Sequence, residues 1–375
     1  MTRVENIKLR VIYNSFGEKT IEAIINESFS ASSSGGISRS LKEAKAISPE
    51  IAIKNFEKIK KEFLGDFSQE EFDKKLKENE KLLGGIVTTS LSLAFFSMEF
   101  ETKYRKDVKY FPNLLVNVLG GGKHSFLEKP EIQEILVMPR AKSIREAIET
   151  SIEIWLEVKN ILKEKKILCG LNPEDAWLAN ITNEDALEIV ENIAKRYKAR
   201  IGIDFAASSL FKNGYYIYHD KRLKKEEQID YVLKIIREYK LFYVEDPLEE
   251  NDESGFKELS KKTNILICGD DIIATNLERL KRLENILKAV IIKPNQAGNV
   301  SECLNIIKFS RSKKIVSIVS HRSTKTACTS EAKLATFADL AKFSVAGIDC
   351  ERCNELLRIW EESKNPRMRK IIVRR

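Results

Sequence analysis

At 375 residues, 43% of them hydrophobic, the chain has the length for one large domain plus a smaller one and the composition for a well-filled core. Its net charge of +8, from 64 basic and 56 acidic residues, is spread along the chain, which suits an anionic substrate and does not require nucleic acid. No apolar run reads as membrane-spanning and the N-terminus does not read as a signal peptide, so the expectation is a cytoplasmic protein with no membrane partner. The six cysteines are scattered, which favours reduced thiols. The pair Cys350 and Cys353 has the spacing of half a zinc site but lacks a second half.

In chain order, residues 7–28 read as a hairpin, Ile7 to Tyr13 and Thr20 to Asn26, turning at Ser15 to Glu18. The small, glycine-rich stretch Ser28 to Ile37 reads as a loop that cannot pack a core, either a mobile lid or a flexible linker. Helical patterns follow, over Ile51 to Phe63, Glu70 to Leu83 and Ser90 to Tyr104. Strands first and helices after predict an α+β domain over 1–125. The apolar run from Phe111 ends in a triple-glycine turn before His124, where backbone could approach a ligand closely.

From 126 to 375 the rhythm becomes strand, helix, strand. Eight apolar segments are strand candidates: 133–138, 166–170, 200–205, 241–245, 265–269, 288–293, 315–320 and 342–347. Eight is the number a closed parallel (β/α) barrel needs, and residues at the C-terminal ends of barrel strands gather at one face. Four of those ends carry Asp204, Glu245, Asp270 and Lys293. Three carboxylates without a His or Cys among them suit a hard cation such as Mg²⁺; the plainer reading makes each acid a helix N-cap. Glu134, Glu174, His321, Arg322 and Ser323 lie at further strand ends. A His-Arg pair there suits a phosphate or carboxylate. The basic tail from Asn365 is expected to order only under a partner.

Taken together these segments resemble enolase over nearly the whole chain. Arg10 to Gly17 with Thr20 and Glu22 resembles the family's opening hairpin, and Ser30 to Gly35 its lid. Asn117 to His124, Gln133-Glu134, Glu174 to Trp177, Gly202 to Ser208, Val244 to Pro247, Gly269 to Asp271, Ile292 to Gln296 and Ser320 to Ser323 follow the family's other motifs in order. The resemblance implies an eight-stranded barrel of the enolase type under an N-terminal α+β capping domain. It implies a homodimer or higher homo-oligomer, two Mg²⁺, and reversible dehydration of 2-phosphoglycerate to phosphoenolpyruvate. Lys293 would be the base and Glu174, assisted by Glu134, the acid. Asp204, Glu245 and Asp270 would hold one cation and Ser33 the second. Arg322 and Ser323 would grip the phosphate, with His124 and His321 beside the substrate; a Lys or His base with Mg²⁺ is how the superfamily is known to work.

The match has gaps. Phe16 stands where the family's hairpin has arginine, and Pro173 and Asp175 where its acid motif has aspartate and glycine. In the region that answers to the family's last barrel strand, here Phe343 to Cys350, no lysine falls at Val345, the position aligned with the family's substrate-carboxylate lysine. Lys342 would need a shifted register, which turns side chains to the wrong face. Two readings follow: a working enolase with reduced activity, or a paralogue with another substrate or no catalysis.

Overall fold

The computed structural model describes residues 1–33 and 47–372. Residues 34–37 of the expected lid therefore lie outside the described residues. The capping domain opens with an antiparallel sheet, β1 (Ile7–Tyr13), β2 (Lys19–Ile25) and β3 (Phe29–Ser32). The first two are the expected hairpin. The third corrects the reading of 28–32 as loop: Ala31 and Ser32 are buried, and four residue pairs join β3 to β2. Small residues here allow close packing under the helix Glu80–Glu99 rather than mobility.

Three helices follow, α1 (Pro49–Ile59) and α3 (Glu80–Glu99) against the sheet and α2 (Gln69–Glu78) against α3. Ser68 and Glu71 form a reciprocal capping box at the start of α2. The helical run Glu80–Asp107 is long and apolar enough, by length and composition, to cross a membrane, which the sequence reading missed. Yet 83% of its most apolar window is buried within the protein, so it serves as the central core helix. Phe72 of α2 stacks on Phe95 of α3, ring centroids 4.5 Å apart.

Eight strands close the barrel: β4 (Asn113–Gly120), β5 (Glu134–Met138), β8 (Arg200–Asp204), β9 (Tyr243–Glu245), β10 (Leu266–Gly269), β11 (Ala289–Ile292), β12 (Val316–Ser320) and β13 (Leu340–Lys342). Strand β13 pairs back onto β4. An outer hairpin, β6 (Leu168–Leu171) and β7 (Trp177–Ala179), attaches to the edge of β4. Two expectations are corrected. The segment at 166–170 is this outer hairpin, and its alternating exposure shows one face in solvent. Its expected place in the barrel belongs to β4, buried from Leu114 to Gly120 as a strand covered on both faces must be. The barrel is also not all parallel, because β5 runs antiparallel to both β4 and β8.

Side chains alternate across a strand with period two. The inward set fills the lower barrel with Leu115, Leu136, Met138, Tyr243, Leu266, Cys268, Ala289, Ile291, Val316, Ile318 and Leu340. Ile371 of the C-terminal tail packs against this cluster. Residues 365–372 of the tail are held by their own chain and not only under a partner as expected: Arg367 and Met368 pair with Tyr110 and Phe111, and the Asn113 side chain donates to the Arg369 carbonyl at 2.9 Å. All six cysteines are free.

Gly202 of β8 faces Tyr243, and a Cβ there would meet the tyrosine Cβ and Cδ1 at 2.9 Å. Gly202→Ala should therefore overpack the barrel and cost about 1–3 kcal/mol. A lowered urea midpoint at unchanged m-value checks this; an unchanged midpoint would show that Tyr243 has room to move.

Candidate active site at the barrel mouth

The alternation that buries the lower barrel also builds its mouth. Two residues beyond Gly202 comes Asp204, beyond Tyr243 comes Glu245, and beyond Cys268 comes Asp270. Ile291 is followed in the same way by Lys293, Ile318 by Ser320 and Leu340 by Lys342. On the antiparallel β5 the order reverses, and Glu134 precedes Leu136. One inward face of each strand thus runs from apolar to chemically active. The resulting cleft is lined by Lys123, His124, Gln133, Glu134, Glu174, Asp204, Ala206, Ser209, Asp246, Asp270, Asp271, Lys293, Ser320, His321, Arg322, Ser323 and Lys342. Of the residues singled out from sequence, only Glu245 and Ser33 do not line it. Glu245 is fully buried just beneath, within reach of Lys342.

Lys342 overturns the expectation that the last strand has no lysine in place. The strand ends at Lys342, and the apolar run after it, 343–346, is loop. No register shift is needed: Lys342 pairs with Ser320 on one side and Leu115 on the other. Its Nζ lies 2.9 Å from Glu134, 2.8 Å from Glu245 and 3.3 Å from Asp204. Val345 is an almost fully buried core residue instead. The signal was available in the sequence, since Leu340 and Lys342 repeat the step by two seen on every other barrel strand.

Burying these acids moves their proton affinities. Burial first, and then Asp204, raise Glu245 to about 7 despite Lys342. Burial and the Glu174 charge push Glu134 well up. Burial also pushes Glu174 up, but contact with His124 and then His321 outweighs it and holds Glu174 well below the usual range. His124 Nδ1 stands 3.3 Å from Glu174, and Asn117 donates to the same carboxylate at 3.4 Å. Ligand atoms of His124, Glu134 and Glu174 all lie within 4.8 Å of one another. The two neighbouring carboxyls are thus pushed in opposite directions, Glu134 up and Glu174 down. Lys342 and Lys293 both lose affinity to burial and regain more from their acids, Glu134 and Asp270 respectively.

Three elements position the acids. Asp246 turns left-handed at φ 37° and accepts the Asp270 and Asp271 amides, at 3.1 and 2.7 Å, so it orients the end of β10. Its own affinity for a proton is pushed well up by burial and Asp271. The sequence reading passed over Asp246 and Asp271, although the doublets Glu245-Asp246 and Asp270-Asp271 stand in plain view. Gln133 donates to Asp204 at 3.4 Å. The Lys293 amide donates to Thr275 Oγ1, and the Lys293 ammonium contacts Asp270.

A cation fits this set. Oε1 of Glu245 and Oδ1 of Asp270 are buried and have no hydrogen-bond partner among the described residues. Two such oxygens beside Asp204 are the hard donors that a divalent ion satisfies. Asp246, Asp270 and Asp271 also bring carboxylate oxygens within 4.8 Å of one another. Arg322 donates to Asn295 at 3.3 Å and stands with Ser323 on the same rim. Ser33 is buried just after β3, its amide bonded to Ser90 Oγ. Its neighbour Ser32 donates to Thr326 at 2.7 Å, three residues beyond Ser323.

Comparison with known proteins agrees with this geometry. Residues 108–366 match the family described as enolase, C-terminal TIM barrel domain. A protein named enolase from Archaeoglobus fulgidus is 36% identical over 395 residues, covering 97% of this chain and 99% of its own. Enolases from Picrophilus torridus and Methanosphaera stadtmanae are 33% and 34% identical, each covering at least 96% of this chain and 98% of its own length.

If Glu245, Asp204 and Asp270 form one cation site, Asp270→Asn should weaken Mg²⁺ binding by roughly tenfold or more, because ligand charge sets affinity at such sites. Isothermal calorimetry at matched circular dichroism checks it, and unchanged affinity would remove Asp270 from the site.

Proposed function

This chain belongs to the enolase family, and we propose that it is a working enolase, which interconverts 2-phosphoglycerate and phosphoenolpyruvate with Mg²⁺. The observation that carries the reading is Lys342, which stands with Lys293 in the mouth that also holds Glu134, Asp204, Glu245 and Asp270. The ground for expecting a paralogue, or a weakened enzyme, was the absence of that lysine.

The chemistry accounts for each residue type. The proton to be removed lies beside a carboxylate and is a very weak acid, and its loss places a second negative charge on that carboxylate. The Lys342 ammonium, fixed by three acids, faces that growing charge without having to reorganise. Mg²⁺ held by Asp204, Glu245 and Asp270, with a second ion at Ser33, would supply further positive charge there and engage the Asp270 charge that otherwise keeps Lys293 protonated. Lys293 takes the α-proton. Glu134 and Glu174, sharing one proton, deliver it to the departing hydroxyl, with His124 and His321 flanking Glu174. Arg322 and Ser323 hold the phosphate. Free thiols throughout fit a reducing cytoplasm, and the working form is a homodimer or larger assembly.

A coupled assay should show phosphoenolpyruvate formation that requires Mg²⁺. Lys293→Ala should abolish exchange of the substrate α-proton with solvent. A charge-assisted hydrogen bond is worth about 1.5–3 kcal/mol, and about 1.4 kcal/mol is tenfold in rate. Lys342→Ala should therefore lower turnover by roughly tenfold to a hundredfold, whereas Val345→Lys should give no gain. Full activity in Lys342→Ala would return the lysine question to open ground.

A further inference from the structure

Lys325 is a buried cation that the proposed reaction leaves without a task. It follows Ser323 by two residues and is 1% exposed. Its Nζ lies 2.6 Å from Asp175 and 3.2 Å from Asp349. Its backbone is tied to the capping hairpin in both directions: the Ser15 amide donates to the Lys325 carbonyl at 2.8 Å, and the Lys325 amide donates to Ser15 Oγ at 3.0 Å.

Each partner of Lys325 leads to a group beside the reacting centre. Asp349 is fully buried and contacts His321 Nδ1. It also accepts the Ser344 amide at 3.1 Å and Arg352 at 2.8 Å, so its position is set from several sides. His321 Nε2 points toward Glu174 at 3.9 Å. Asp175 adjoins Glu174 directly. It holds a left-handed backbone, φ 63°, which a side chain other than glycine's adopts at a cost. The loop after β13 closes onto its carboxylate so tightly that a Cβ on Gly347 would meet Asp175 Oδ1 at 2.1 Å. A strained aspartate in a position suited to glycine, clasped by a buried lysine, indicates that its carboxylate is needed there.

We propose that Lys325 and Asp175 are positioning residues: they lock the Glu174 loop and His321 to one another and to the capping hairpin, so that the acid half of the reaction depends on this clasp. The inference rests on the role proposed above for Glu174. A merely structural ion pair would alter stability or both halves of the reaction together. A positioning pair separates them, because Asp270 and Lys293 stand at the ends of β10 and β11 and bond to each other rather than to Lys325 or Asp175.

The test uses the full-length protein with Mg²⁺ and 2-phosphoglycerate. It measures phosphoenolpyruvate formation and, by NMR in D₂O, α-proton exchange. Asp175→Gly removes the carboxylate and relieves the backbone, so the fold survives even if Lys325→Met proves unstable. Misplacing a catalytic group by about 1 Å can cost about 100-fold. Asp175→Gly and Lys325→Met should each lower the kcat of dehydration by roughly 10- to 100-fold, with exchange and KM near native. Lys325→Arg should recover part of the loss, and the double variant should be no worse than Lys325→Met alone. Equal loss of exchange and dehydration, or native dehydration in Asp175→Gly, would overturn the proposal. A wild-type chain that catalyses neither process would overturn the proposed function itself, and the positioning roles with it.

Discussion

Everything at the barrel mouth depends on one buried ammonium. Lys342 sits within 3.3 Å of Glu134, Asp204 and Glu245, all of them almost wholly removed from water. Carboxylates buried this closely repel one another and lose solvation, and each would otherwise neutralise by taking up a proton. Glu245 is already raised to about 7 with the lysine present. Lys342 keeps the set charged enough to receive a cation, and it aims its own charge at the place where a substrate carboxylate would build up more. Stability and chemistry thus make the same demand on one side chain.

The barrel meets that demand by alternation. Each strand presents one inward series, apolar below and charged at the end, so no special loop is needed to aim Asp204, Glu245, Asp270, Lys293 or Lys342. The price appears as Gly202, where Tyr243 fills space that a second side chain would need. The acid pair is built differently. Glu174 rides on a turn beside the outer hairpin, where Asn172 Oδ1 accepts the Glu174 and Ala176 amides at 2.9 Å. It is therefore held by side chains from other loops, among them His124, His321 and the Asp175–Lys325 clasp.

That difference explains what could be read in advance. Strand-end residues were legible because each is the last member of a period-two series followed by turn residues, and the family's motifs coincide with those series. The run from Phe111 reads as a strand, but its place in the barrel was hidden because it precedes the barrel's helical rhythm and pairs antiparallel with its successor. The segment at 166–170 has the right composition but buries only one face, which burial shows and composition does not. Lys342 was misassigned for a related reason. The apolar run Phe343 to Ile348 looks more like a strand than Leu340-Ala341-Lys342 does, yet strand length in a barrel is set by the neighbours' register and not by local hydrophobicity.

The departures from the family pattern acquire a common sense in three dimensions. Asp175, in place of glycine, reaches Lys325, whose backbone is bonded to the residue just before Phe16, itself in place of the family's arginine. Phe16 is 46% exposed and carries no charge. In this chain the charge that joins the hairpin region to the Glu174 loop is Lys325, on the barrel side of the contact. Sequence alone gives no reason to connect Asp175 with Lys325, because they are 150 positions apart. Folded, they are one contact, and it touches the part of the mouth that no barrel strand positions.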